Sequence, residues 1–454
     1  MNTELKQFLD SHLQEDTGTN KMGNKITVVD SIMGSWKTSW AIQHINEHLD
    51  ESFVYCTPFL DEITRIRKSC NENFHEPEFR SGRKIDDFNS LLMDGKNIAV
   101  THSTFANSNS ETMELIENGK YTLILDETLD ILVNFNEVAT NKITKQDVKM
   151  LLNEGFITYD KYGKVTWLKD HYPDTKYYDV ERIAKNGNLF YIDSSMLVWQ
   201  FPPQIFALFK KVFLLTYMFD GSFLKPYFEY HKIMYDLASV QKIGNRYGLT
   251  DYYCDYEQQR SFKPLIEVLD DKKLNDYKAT ALSKTWFTRQ NKSTLKHLQS
   301  NIYNYLRNIT KAKTDSILWT APKDYKNSLK GRGYNIVRQL TPEEKQLPIK
   351  KRKQIEKKTQ CFLSCNARAT NDYANRSVLV YAINMYCNPY TKRYFENKNQ
   401  SDGTNISVNQ DYLALSCMLQ WIWRSRIRNG EPIKIYIPST RMRNLLFSWL
   451  NGEM

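Results

Sequence analysis

Five residues in two short stretches have the types and spacing that phosphoryl chemistry needs. Gly34, Lys37 and Thr38 stand in SIMGSWKT (Ser31–Thr38), and Asp126 and Glu127 in LILDET (Leu123–Thr128). A lysine above a tight turn can reach the β- and γ-phosphates of a nucleotide, and the next threonine hydroxyl can ligate Mg2+. Backbone N–H groups of the turn, with a helix N-terminus behind them, hold phosphate oxygens. An Asp at a strand end can hold the same Mg2+ through water, and the Glu beside it can orient and deprotonate an attacking water. Each half is ordinary alone: a Lys-Thr can follow any strand–turn–helix by chance, and acidic residues often cap helices. Together each half supplies what the other lacks.

Both stretches depend on strand ends to place them. Ile26–Val29 is a short β-branched run of the kind that forms a core strand in a parallel sheet. Asp30 to Ser35 turns the chain, Ser31 and Ser35 complete the turn, and a helix continues to Leu49. Tyr121–Leu125 is the most strand-like run in the chain. Open parallel sheets bind ligands beyond the carboxyl ends of their strands, which is where both stretches fall. Trp36 stands immediately before Lys37, where the strict loop wants a glycine because the backbone approaches the phosphates closely.

Further strands are expected at Phe53–Thr57, which ends in Pro58, at Asn97–Thr101, which runs into His102 and Thr104, and at Lys211–Thr216. Helices are expected at Phe59–Cys70 and Asp86–Met93. His44 and His48, four apart on the first helix, read as surface histidines, since no third metal ligand is evident. The expected organisation is an N-terminal helix and connector (1–24), a first ATP-binding lobe (25–230) with an irregular insertion at about 130–203, a connecting region (231–313), and a second α/β lobe (314–454). In the second lobe, strands are expected at 316–320, 361–365 and 433–437, with helices at Tyr412–Trp423 and Thr440–Leu450. The run 342–358, with four adjacent basic residues from Lys350 to Lys353, reads equally as a solvated surface or as a phosphate-contacting patch.

With 454 residues, 41% hydrophobic and 25% charged, the chain reads as a soluble protein of two or three domains. It has no apolar run long enough to span a membrane and no apolar leader at its N-terminus, so a cytoplasmic location is expected. Seven scattered cysteines suit free thiols in a reducing compartment, and Cys361 and Cys365 lack a second pair for a zinc site. The net charge of +10 tilts toward a polyanionic partner.

In this order the parts resemble a superfamily 2 helicase, more closely the DEAD/DEAH-box-like helicases of bacteriophages. SIMGSWKT corresponds to motif I, Thr57-Pro58-Phe59 to Ia, THSTF (Thr101–Phe105) to the next nucleic-acid motif, and LILDET to the DExx box. LLTYMF (Leu214–Phe219) takes the place of motif III, ARATNDY (Ala367–Tyr373) that of motif V, and QWIWRSRIR (Gln420–Arg428) is similar to motif VI. The departures are Trp36 for glycine in motif I, Trp423 at the first glycine of motif VI, and Ile427 at its last arginine, flanked by Arg426 and Arg428. No adenine-recognising Gln motif stands out.

The resemblance implies two RecA-like parallel-sheet lobes that hydrolyse ATP with Mg2+. Lys37, Asp126, Glu127, Arg424 and Arg428 would be catalytic; Ser31, Gly34, Ser35, Thr38 and Gln420 would hold nucleotide, with Thr38 and Asp126 on the metal. Thr57, Pro58, Thr101, His102, Thr104, Arg368 and Thr370 would contact nucleic acid, DNA or RNA with DNA favoured, and Thr216 would couple the lobes. The role implied is in phage replication or recombination, with replication proteins as candidate partners. Two other readings fit the same residues: a packaging-type motor or remodeller that moves nucleic acid without unwinding it, and a binding module whose site Trp36 has disabled.

Overall fold

A computed structural model describes residues 25–454 apart from 72, 80–82, 171, 173–174, 193–195 and 366–371, and omits the side chains of 350, 354 and 357. The expected N-terminal helix therefore lies outside the described residues, as do Arg368 and Thr370. The chain divides into two compact units. The first takes residues 25–31, Ser35–Tyr253 and Cys387–Asn409; the second takes Cys254–Tyr386 and Gln410–Met454 with Ile32–Gly34.

The first unit is built on β1 (Ile26–Asp30), β2 (Phe53–Thr57), β3 (Ile98–Thr101) and β4 (Thr122–Asp126). An insertion follows, carrying β5 (Leu132–Asn134), β6 (Ile157–Tyr159), β7 (Val165–Trp167), β8 (Leu189–Ile192) and β9 (Met196–Gln200). The main sheet then resumes with β10 (Lys211–Thr216) and the hairpin of β11 (Asp236–Ile243) and β12 (Arg246–Asp251). Its order is β12-β11-β1-β10-β4-β2-β3, with only β12 antiparallel. Every residue of β1, β2, β4 and β10 is buried, because helices cover both faces. That explains unbroken apolar runs in place of alternation. Val29, Tyr55, Ile124 and Phe213 face the helices Lys37–Glu47 and Leu60–Ser69. Val28, Val54, Leu123 and Val212 face Lys84–Met93, Ser110–Gly119 and Leu224–His231.

His44 departs from expectation. It is buried, stacked on Trp40 at 5.2 Å and edge-on to Phe213 at 5.0 Å. Its place on the sheet-facing side of the helix makes it a core residue. The insertion has its own small core, in which Phe135, Val148, Leu151 and Val180 pack on the β5-β9-β8 sheet and the β6–β7 hairpin. The expected connecting region, 231–313, divides: the β11–β12 hairpin joins the first sheet, and residues from Cys254 belong to the second unit.

Residues 387–409 leave the second unit and complete the first. Their helix, Pro389–Asp402, places Tyr394 and Phe395 in the core beneath the main sheet, with Ile406 following. The Tyr394 hydroxyl donates to Gln200 Oε1 at 2.5 Å, and its ring stacks on Tyr230 at 4.7 Å.

The second unit holds β13 (Ile266–Val268), β14 (Ile317–Thr320), β15 (Val378–Tyr381) and β16 (Ile433–Tyr436), all parallel in the order β13-β16-β15-β14. Residues 361–363 lie beside β14, with Trp319 N–H donating to the Cys361 carbonyl at 2.9 Å. Arg441, on the helix Thr440–Leu450, gathers both flanks of the 387–409 excursion. It donates to Asn384 Oδ1 (3.1 Å) and the Met385 carbonyl (2.7 Å) on one side, and to the Gln410 carbonyl (2.9 Å) and Asp411 Oδ1 (2.6 Å) on the other.

Candidate active site

The strand order of the first unit lines the expected residues along one sheet edge. Asp30 of β1 pairs in register with Thr216 of β10, Leu215 with Asp126 of β4, and Thr57 of β2 with Thr101 of β3. All are the last or next-to-last residues of their strands, so residues far apart in sequence share the carboxyl edge of five neighbouring strands.

The loop after β1 is pinned from both sides. Ser31 N–H donates to the Thr216 carbonyl at 3.1 Å, and Ser31 Oγ accepts from Val240 N–H at 2.9 Å. Gly34 has a left-handed backbone (φ 82°) that only glycine adopts without strain. Trp36 is left-handed too (φ 63°), and its carbonyl accepts the first helical hydrogen bond, from Trp40 N–H at 2.8 Å. The tryptophan thus keeps the backbone conformation that glycine would supply, at a cost of about 1–2 kcal/mol. Its indole turns outward, 45% exposed, with the Lys242 ammonium 5.6 Å above the ring. Lys37 Nζ donates to the Ser31 carbonyl at 2.5 Å, closing the loop on itself.

Acidic groups surround that ammonium. Burial pushes Lys37 below its ordinary value, while Glu127, Asp30 and Asp126 pull it back up. Burial beside Glu127 and Glu62 lifts Asp126 from 3.8 to about 7, against the pull of Lys37. Thr57 Oγ1 donates to Asp126 Oδ2 at 3.4 Å, and His102 Nε2 meets the Asp126 carbonyl at 2.9 Å. The buried Tyr55 hydroxyl faces Asp126 and Thr38 without a well-formed hydrogen bond to either. Glu127 is left-handed (φ 65°), its N–H donating to the Leu215 carbonyl at 2.9 Å. Trp36, Glu127 and Met218 (φ 57°) are three of seven non-glycine residues with positive φ among the described residues. They follow the adjacent strands β1, β4 and β10, so backbone strain gathers at this edge, as it does at functional sites.

Asp30 is the residue that sequence reasoning passed over as a turn position. Its buried carboxylate accepts from Met218 N–H (2.8 Å) and Phe219 N–H (2.9 Å), tying the phosphate-type loop to the turn after Thr216. Burial lifts it to about 6 despite these bonds. The available signal was an Asp ending a buried strand directly before the loop.

The positions expected to touch nucleic acid have more internal duties. Thr57, His102 and Thr104 are buried; Thr101 Oγ1 caps the short helix His102–Phe105 by accepting from Thr104 N–H at 3.2 Å; Pro58 is partly exposed. In the second unit, Gln420 and Arg424 are partly exposed and Arg428 is exposed. Arg426 is held by the Pro432 carbonyl at 2.6 Å and by Glu431 at 3.8 Å. Ile427 is core, and Trp423 packs edge-on to Phe262 at 4.8 Å and to Trp449 at 5.7 Å. Those two departures from the motif VI pattern are thus packing positions.

Hard oxygen donors, Thr38 and Asp126, suit Mg2+, which takes one or two protein groups and completes its shell with water and phosphate. Among the described residues no cluster of three or more His, Cys, Asp or Glu could hold a metal by itself. The buried Ser35 hydroxyl in the loop has no partner among the described residues, as a phosphate-facing group would require.

Parallel sheets with helices on both faces define a two-lobed RecA-like α/β protein. One solved structure, titled XPD helicase, shares this fold over 98% of this chain and 98% of its own, with a TM-score of 0.51 at 12% identity. The SPbeta prophage-derived protein YonV of Bacillus subtilis strain 168 is 38% identical over 449 residues, covering 94% of this chain and 99% of the relative. Family models match as the YonV middle domain over residues 138–199, which is the insertion, and as the YonV C-terminal Rossmann-like domain over residues 260–450. The chain belongs to the YonV family. No helix among the described residues is long and apolar enough to cross a membrane.

Proposed function

We propose that the chain is an ATP-dependent nucleic-acid motor of the superfamily 2 helicase type, most similar in motif order to DEAD/DEAH-box-like members. The observation that carries this is the convergence of Lys37, Thr38, Asp126 and Glu127 on one sheet edge, with Asp30 wiring that edge to the turn after Thr216. Lys37 exchanges its bond to the Ser31 carbonyl for the phosphates. Backbone N–H groups from Gly34 to Thr38 and the helix behind them bind phosphate oxygens. Mg2+ held by Thr38 and Asp126 would neutralise phosphate charge there. Glu127 orients the attacking water and takes its proton at a carboxylate oxygen. Thr57 and His102 keep Asp126 in place from beneath. Arg424 or Arg428 contributes the second lobe's charge, as the likeness of Gln420–Arg428 to motif VI implies. Nucleotide loss at the first lobe changes the turn after Thr216 through Asp30, which gives hydrolysis a route to movement. The partner is nucleic acid, DNA before RNA; the prophage relative supports a phage setting, and the place proposed there is replication or recombination.

The left-handed backbone at Trp36 weighs against a disabled module, because the loop keeps its glycine-like shape with the indole outside. The test is phosphate release by the full chain with and without single-stranded and duplex DNA or RNA, beside Glu127→Gln. The expected result is stimulated hydrolysis that falls at least about a hundredfold in the variant while ATP binding persists. Hydrolysis indistinguishable between the two proteins sinks the enzyme reading. Strand displacement then separates a helicase from a motor that only translocates.

A further inference from the structure

Residues 338–358 leave the edge of the second sheet and return to it. The two stems are tied where Ile336 bridges Gln360, Val337 N–H donates to the Thr359 carbonyl (2.8 Å) and Cys361 N–H to the Asn335 carbonyl (3.1 Å). Between them stand two helices, Pro342–Gln346 and Ile349–Lys358. The arm is anchored at its root by the Arg338 guanidinium, which grips Glu344 through two bonds of 2.7 and 2.8 Å and holds that carboxyl down to about 2.

No described residue from 338 to 358 is buried. The arm therefore adds nothing to the core, and its composition answers to something outside it. It carries eight Lys or Arg against three Glu, half of the chain's net +10 within 21 residues. Three of those charges, Lys345, Lys351 and Lys353, make no ion pair among the described residues. At the root, Lys330-Gly331-Arg332-Gly333 adds two exposed cations around a hollow of about 420 Å³ lined also by Asn335 and Ile336.

The arm has no Phe, Tyr, Trp or His. Single strands are gripped by aromatic stacking as well as charge, whereas duplex offers one phosphate per ~1.7 Å of axis to charge alone. We propose that the arm 338–358 and the Lys330–Gly333 turn bind the phosphate backbone of a nucleic-acid duplex, without reading sequence. This rests on the motor reading and names the part of the substrate that the second lobe holds.

The experiment measures binding of the full chain to a blunt DNA duplex, a single strand of the same length, and anionic phospholipid vesicles, across a salt series. The variant is Lys351→Ala/Arg352→Ala/Lys353→Ala, at positions with no buried side chain to disturb the fold. Duplex affinity should fall about tenfold at low salt, and the slope of log K against log salt should shrink by about 2–3, near 0.9 for each phosphate no longer neutralised. Single-strand affinity should change less than about twofold. An equal fall on both nucleic acids, no fall on either, or a fall confined to vesicles overturns the proposal. If the unaltered protein binds no nucleic acid at all, the motor reading fails instead.

Discussion

Asp126→Asn should make the protein more stable, and increasingly so as the pH rises. The Asp126 carboxyl is buried at the end of β4 and lifted from 3.8 to about 7. The fold keeps a proton there that the unfolded chain gives up, so between those values the native state binds more protons and stability falls with rising pH. At about 1.4 kcal/mol per pH unit, ionising this group costs the fold about 4 kcal/mol at pH 8, about 2 at pH 5.5, and almost nothing below pH 4. Asparagine has no such cost and keeps an oxygen for the Thr57 hydroxyl. Asp30 titrates in both proteins and cancels from the difference. The net gain is about 4 kcal/mol at pH 8 and about 2 kcal/mol at pH 5.5. Urea unfolding of both proteins at the two pH values, without nucleotide, measures it. A variant less stable at pH 8, or a gain equal at both pH values, refutes the argument that burial strains this carboxylate. A gain of the expected size also marks Asp126 as a residue kept at the expense of stability, which is the pattern of functional sites.

Trp36→Gly should leave stability within about 1 kcal/mol: relief of left-handed strain offsets the added unfolded-state entropy and the removal of the ring beneath the Lys242 ammonium. ATP hydrolysis should stay within about threefold; its abolition would give the indole a positive role. Arg441→Lys keeps the charge but loses the fork that reaches Asn384, Met385, Gln410 and Asp411, and should cost about 2–3 kcal/mol in denaturant unfolding. A neutral result there would mean that the excursion's flanks are held by packing alone.

The strands at the site were legible because they are buried on both faces, and burial on both faces writes itself as unbroken apolar runs such as Val28-Val29 and Leu123-Ile124-Leu125. The loop and the Asp-Glu pair were legible because they end such runs. The β11–β12 hairpin was not, since its strands are largely half-exposed and mix polar with apolar residues. The helix Pro389–Asp402 was missed because only Thr391, Tyr394 and Phe395 of its fourteen residues are buried, and most of the rest are polar. Its partner surface lies on elements distant in sequence. Asp30 was illegible for a related reason: a carboxylate that clips the Met218–Phe219 turn shows its role only once β10 has been placed beside β1.

The excursion of residues 387–409 also sets an order of events during synthesis. The first unit's own sheet is complete in sequence at Tyr253, yet Tyr394, Phe395 and Ile406 fill the core beneath it. At about 5–20 residues per second, a ribosome needs roughly 7–30 s to travel from the one point to the other. For that time Phe190, Tyr227 and Phe228 border a core that still lacks its last side chains. The nascent chain therefore finishes its N-terminal unit only after most of the C-terminal one has emerged, and a chain terminated between them would carry an open apolar seam into the cell.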